Sequence, residues 1–257
     1  MKPLTTTLLL LMLGVPASAD PALDALVAAY PDHLVRYEGN DLIWKDGTRM
    51  PISDGRTGKS FEQLLDQPDI KDQFAFPYLL GPDVKTPQLN DDPGRIRFEP
   101  FFARMYGDCK KGEVARRMKS VAWMPKRGGR TLGVTTVNRV DERLAEVVKD
   151  LESLPSEMTK FLVPSSGTYN CRTIANTKRL SVHAFAAAVD INAQQADYWE
   201  FLKDRTGAFT WRNRVPGAIG EIFERHGFIW GAKWYHVDSM HFEYRPELIA
   251  LARRGTR

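Results

Sequence analysis

Two spacings of apolar residues run along this chain. Val137, Val140, Leu144, Val147, Val148 and Leu151 recur at the interval of one helix face, and Pro155 is the expected stop. A second helix is predicted over residues 215–226, with Pro216 near its start and Gly227 just past its end, the asymmetry that helices favour. Residues 130–137 are rich in β-branched side chains and predict a strand. Residues 188–192 and 240–244 are read as two more strands. Asp46-Gly47 sits between short apolar-bearing segments, a favoured hairpin turn. Residues 61–100 carry Pro68, Pro77, Pro82, Pro87 and Pro93 and predict an irregular, wrapping connection. Helices and short strands mix without a regular βαβ alternation, which points to an α+β fold. The expected arrangement is a small mixed domain over residues 100–257 with an antiparallel sheet, preceded by an extension over residues 20–99.

The first residues follow a different logic. Lys2 precedes the apolar run from Leu8 to Val15, and Ala17-Ser18-Ala19 follows. That order of charge, short apolar core and small residues reads as a secretory signal peptide over residues 1–19. A transmembrane anchor needs roughly 20 apolar residues, and this run is far shorter. The expected location is therefore the cell envelope or periplasm, or outside the cell. The formal net charge of +4 falls to +3 once Lys2 is removed. Lys and Arg are scattered, which argues against a nucleic-acid partner. Two cysteines, Cys109 and Cys171, permit one disulfide in an exported chain; two unpaired thiols are the alternative.

Candidate chemistry is concentrated in two blocks. One runs from Ser181 through His183 and Ala184 to Ala188 and Asp190, the other from Trp234 through Asp238 to His241, Phe242 and Glu243. Two imidazoles and a carboxylate are a ligand set that zinc favours when one position is kept open. Small residues at 184 and 186–188 let backbone pass close to such an ion. Each residue alone has a structural explanation, because most buried polar groups simply satisfy hydrogen bonds.

Taken together, the blocks resemble the M15 family of zinc D-alanyl-D-alanine carboxypeptidases, dipeptidases and wall endopeptidases. Ser181, His183, Ala188 and Asp190 match its Ser-x-His-x-x-Gly-x-Ala-x-Asp block, and Asp238, His241, Phe242 and Glu243 match its second. The resemblance spans roughly residues 100–250. It implies His183, Asp190 and His241 as ligands of Zn2+, Asp238 as general base, and peptidoglycan stem peptides as the partner, cleaved next to a D-amino acid. The segment 167–172 resembles the one in which the family carries an arginine, which makes Arg172 a candidate for clamping a carboxylate or stabilising an oxyanion. Ala186 stands where the family has Gly, tolerable if its φ is negative. Glu243 would share a strand face with His241, either orienting it or standing as a surface acid. Ser181 is expected to bond backbone or a ligand, and Trp234 to line the cleft or join the core. His33, His226 and His236 are read as structural. The competing class is a non-catalytic, zinc-containing wall-binding protein, which has no use for Asp238.

Overall fold

The computed structural model describes residues 20–255; the signal-peptide expectation falls on residues 1–19, outside them. Asp20 starts the first helix, α1 (Pro21–Ala29), its carboxylate accepting the Ala22 and Leu23 N–H groups, a preferred N-cap arrangement. Strands β1 (Leu34–Glu38), β2 (Asp41–Trp44) and β3 (Arg49–Pro51) form an antiparallel sheet in that order. The expected hairpin is the β2–β3 turn, where Gly47 takes a φ of +84° open to glycine without strain. A Ser60–Gln63 capping box opens α2 (Phe61–Asp66). The prolines then carry the chain around to α3 (Glu99–Tyr106), a helix the sequence pattern did not predict.

Beyond it lie β4 (Met118–Ala122), its antiparallel partner β5 (Thr131–Thr135), α4 (Val140–Leu151) and α5 (Thr159–Leu162). The helix expected from Val137 begins at Val140, because Asn138 and Arg139 take φ values of +56° and +59°. It ends at Leu151, ahead of Pro155. Next come β6 (Ala188–Asp190), α6 (Trp199–Leu202), α7 (Gly217–Arg225), β7 (Phe228–Trp230), β8 (His241–Tyr244) and α8 (Pro246–Gly255). The third sheet is antiparallel, in the order β6-β8-β7. The molecule is therefore α+β.

One apolar cluster runs from Leu23 and Leu26 on α1 and Tyr30 just past it to Phe242 and Tyr244 on β8. At its centre Phe242 stacks on Phe223 of α7 at 3.7 Å between ring centroids and on Trp230 at 5.7 Å. Burying each such ring contributes about 1.5–3 kcal/mol, which fixes β8 against α7. Residues 20–99 share this core and are also bolted to it by polar contacts. Tyr30 donates to Glu247 at 2.6 Å, and Tyr78 donates to Glu224 at 2.7 Å. The Lys233 ammonium pairs with the same Glu224. Pro82 passes so close to α7 that a Cβ on Gly217 would lie 1.9 Å from its carbonyl oxygen; only glycine fits there. Cys109 and Cys171 are joined in a disulfide across 62 residues of sequence.

Candidate metal centre

The pairing of β6 with β8 places Asp190 directly opposite His241, and Ala188 opposite Glu243. Residues facing each other on neighbouring strands have Cβ atoms about 4.5–5.5 Å apart, so sheet register alone brings the carboxylate to the imidazole. His183 arrives from the other side, on the helical turn Val182–Phe185 just before β6. Ser181 starts that turn by accepting the His183 N–H at 3.3 Å. The chain then reverses at Ala186, whose φ is +53°. The condition under which alanine replaces glycine freely, a negative φ, is not met: the reversal needs a left-handed residue, and alanine supplies it under strain.

The three side chains converge. His241 Nδ1 is 2.9 Å from Asp190 Oδ1, His183 Nε2 is 3.2 Å from His241 Nδ1, and His183 Nε2 is 3.2 Å from Asp190 Oδ2. At bond lengths of about 2.0–2.2 Å, two donors on a tetrahedral ion lie about 3.3 Å apart, so the spacing suits a metal ion. The far nitrogens are already committed. His183 Nδ1 lies 2.7 Å from the Thr168 carbonyl, and His241 Nε2 lies 3.2 Å from Glu243 Oε2. A carbonyl can only accept, so Nδ1 of His183 carries a proton and Nε2 is the nitrogen left to offer a lone pair to an ion. Imidazoles that hold metals are oriented in this way. Glu243 is itself fixed by Arg97 at 2.9 Å and Arg245 at 3.2 Å.

Without an ion the cluster is strongly polarised. Burial alone would lower the His241 pKa, but its hydrogen bonds to Asp190 and Glu243 outweigh that and raise it to about 10. Burial would raise Asp190, yet bonds and charge from both histidines hold it well below the carboxylate range. Burial would likewise raise Glu243, which the Arg97 charge and the His241 bond bring down to about 2.

Asp238 lies at the entrance to β8. Its carbonyl accepts the His241 N–H at 3.1 Å, and its backbone bridges to Tyr198. The Asp238 Oδ1 is buried with no hydrogen-bond partner. Burial pushes this carboxyl up to about 6, with the Asp190 charge acting in the same direction and His241, Arg95 and His183 opposing. Trp234 is buried, donates to the Pro93 carbonyl at 2.7 Å and sets its ring 5.5 Å from that of His241. It serves both core and site.

Arg172 is not drawn into the cluster. Its side chain is exposed, Nη1 donates to the Thr173 carbonyl at 3.3 Å, and its charge reaches Tyr198. His236 is held by Asp92 at 2.7 Å, and His226 by Asp150 at 2.9 Å. His33 packs edge-on to Trp44. Sequence reasoning missed Thr168, Arg97 and Arg245. Thr168 acts through its backbone, which no residue type announces, and Arg97 is 146 residues from Glu243.

Residues 175–244 match the M15 peptidase family model described as D-alanyl-D-alanine carboxypeptidase. The match bears out the resemblance of the two blocks. It encloses His183, Asp190, Asp238 and His241 and leaves Arg172 outside. No curated protein and no solved structure matches the chain.

Proposed function

We propose that this protein is a zinc-dependent peptidase of the cell envelope that hydrolyses peptidoglycan stem peptides next to a D-amino acid. The observation that carries the reading is the convergence of His183 Nε2, Asp190 and His241 Nδ1 within 4.8 Å of one another, inside the matched segment and beside a carboxyl with a free buried oxygen. Those three residues would hold the ion. When bound, zinc supplies a Lewis acid that polarises a carbonyl and lowers the pKa of water to about 7.

The remaining chemistry belongs to the chain. Asp238 takes the proton of the attacking water on Oδ1 and returns it to the leaving amine, a general acid–base role. A carboxyl titrating near 6 is suited to both halves of that cycle. Thr168 and Glu243 keep the two imidazoles in one tautomer and one orientation. Arg172, exposed on the Tyr198 side, is assigned to the oxyanion that develops on the substrate carbonyl. No helix among the described residues is long and apolar enough to cross a membrane, and the signal-peptide pattern of residues 1–19 accounts for export.

The deciding experiment is digestion of purified peptidoglycan by the mature chain with and without a chelator, with products identified by mass. Chelator-sensitive release of D-alanine or of uncrosslinked stem peptides is expected. Bound zinc with undigested peptidoglycan would instead favour the wall-binding class.

A further inference from the structure

A cavity of about 290 Å³ is lined by Arg95, Arg97, Phe98, Arg179, Leu180 and Phe185, among others. Three guanidinium groups therefore line one space, and the charges of Arg95 and Arg179 both act on Arg97. Their partners are unevenly placed. Arg97 pairs with Glu243 at 2.9 Å and Arg95 with Asp92 at 3.1 Å, both buried acids. Arg179 meets only the rim, where Asp66, exposed over 63% of its side chain, lies 3.3 Å from Nε. Glu99, also on the rim and exposed, accepts the Leu180 N–H at 3.1 Å. The acids of the cavity wall thus sit outside and the cations inside.

The Nε groups of Arg95 and Arg179 are buried and lie 3.1 and 3.3 Å from Asp92 and Asp66, but neither contact is aligned as a hydrogen bond. Donors of that kind call for an acceptor, and a planar guanidinium suits a carboxylate, which it can grip with two parallel bonds. Burial lowers the pKa of Arg179, with Asp66 only partly offsetting it, so an added anion would be favoured there.

The cavity is also coupled to the centre. Arg97 bonds Glu243, which bonds His241. Arg95 lies 4.7 Å over the Trp234 ring, which packs on His241, and its charge reaches Asp238. Arg95 and Arg97 lie outside the matched segment, so the extension contributes two of the three cations. We propose that this cavity is a carboxylate subsite that anchors the peptide substrate and thereby selects which bond reaches Asp238. The proposal rests on the peptidase reading for the identity of the ligand. A stem peptide offers two sources of carboxylate, its C-terminus and its internal side chains.

The test measures binding separately from turnover. Three synthetic stem pentapeptides ending in D-alanyl-D-alanine are titrated by calorimetry into the zinc-loaded Asp238→Asn chain: one with every carboxylate free, one amidated at the C-terminus, one amidated at its internal carboxylates. One amidated peptide should bind at least tenfold more weakly than the free one, and which one does so names the source. Adding Arg179→Gln should weaken the free peptide by a similar factor and leave that amidated peptide unchanged, while Arg179→Lys should recover part of the loss. The ratio between peptides on one preparation is insensitive to how much of it is folded. Equal binding of all three peptides, or no effect of Arg179→Gln on the free peptide, would overturn the subsite. The same peptides are then offered to the chain with Asp238 intact. If none is hydrolysed while the binding difference holds, the peptidase reading falls and the subsite stands; if they are hydrolysed without discrimination, the subsite alone falls.

Discussion

Asp54, Asp69 and Asp72 converge on the Lys59 ammonium at 2.9, 3.7 and 2.5 Å, whereas Asp190 and Glu243 converge on the imidazoles of His183 and His241. Both regions gather carboxylates at short range, and sequence proximity alone would make the first the better metal candidate. The difference lies in where the positive charge comes from. In residues 54–72 the chain supplies its own cation on a side chain only 3% exposed, and the cluster is complete. In the matched segment the far nitrogens of both rings are spent on Thr168 and Glu243, which turns two near nitrogens and a carboxylate onto a common point. A candidate metal site is distinguished here by what orients its donors, because acid density occurs without one.

The largest effect that sharpens this contrast is at Asp238. Asp238→Asn keeps the shape of the side chain and removes its ability to take a proton. Turnover should fall by about 10²–10⁴-fold with zinc content unchanged, since none of the three convergent donors is altered. Zinc content and hydrolysis rate are measured on one preparation. A parallel loss of both would make Asp238 a residue that merely positions His241 through its backbone turn.

The second effect is the pH dependence of metal uptake. In the metal-free centre His241 titrates near 10, so at neutral pH both ring nitrogens hold protons and the one on Nδ1 must leave when an ion binds. Affinity for zinc should rise about tenfold per pH unit between pH 6 and 8, with one proton released, read by calorimetry in buffers of different ionisation enthalpy. Affinity that does not change with pH would contradict the polarised cluster. Stability of the metal-free chain runs the opposite way. A pKa raised from about 6.5 in the unfolded state contributes stability that is full below that value and is lost as pH climbs toward 10.

Lys59 provides the third test, from the complete cluster. Lys59→Met leaves Asp69 and Asp72 without their cation, while Asp54 keeps Arg56 at 2.7 Å. Removing one partner of a fully buried pair costs about 3–5 kcal/mol, but a third of the Asp54 side chain is exposed and water screens part of the loss. A destabilisation of about 1–3 kcal/mol in urea unfolding is expected, with zinc affinity unaffected. An unchanged midpoint would reduce the cluster to surface charges, and altered zinc affinity would show that the two regions are coupled.

The same contrast explains what the sequence made legible. The β8 strand, α7 and the Asp46-Gly47 hairpin follow from local periodicity and turn chemistry, and the blocks around His183 and His241 follow from residue type at fixed spacing. Helix α3 was missed because its partner is distant: Phe102 on α3 packs near Phe185 at 5.8 Å. Charged groups were hardest to place. Arg95, Arg97 and Arg179 are scattered in sequence and mean nothing until the extension folds over the matched segment. The conformation of Ala186 could not be read in advance, because a backbone reversal between a helical turn and a strand is a tertiary demand with no side-chain signature.

That reversal gives the smallest and most exacting test. Ala184 and Ala186 are both fully buried in the same small apolar cluster, but Ala184 lies within the helical turn Val182–Phe185 and Ala186 has a φ of +53°. Replacing either with glycine loses a methyl group worth about 0.8 kcal/mol of burial and adds about 0.5–1 kcal/mol of unfolded-state freedom. At position 184 nothing offsets these losses, and about 1–2 kcal/mol of destabilisation is expected. At position 186 glycine also releases the left-handed strain, about 1–2 kcal/mol for an L-residue, so Ala186→Gly should be close to neutral. Parallel urea unfolding of the two variants reads the gap directly, independent of any metal or substrate. Equal losses at both positions would mean that the reversal carries no strain, and that an alanine serves there as well as the glycine of the resembling family.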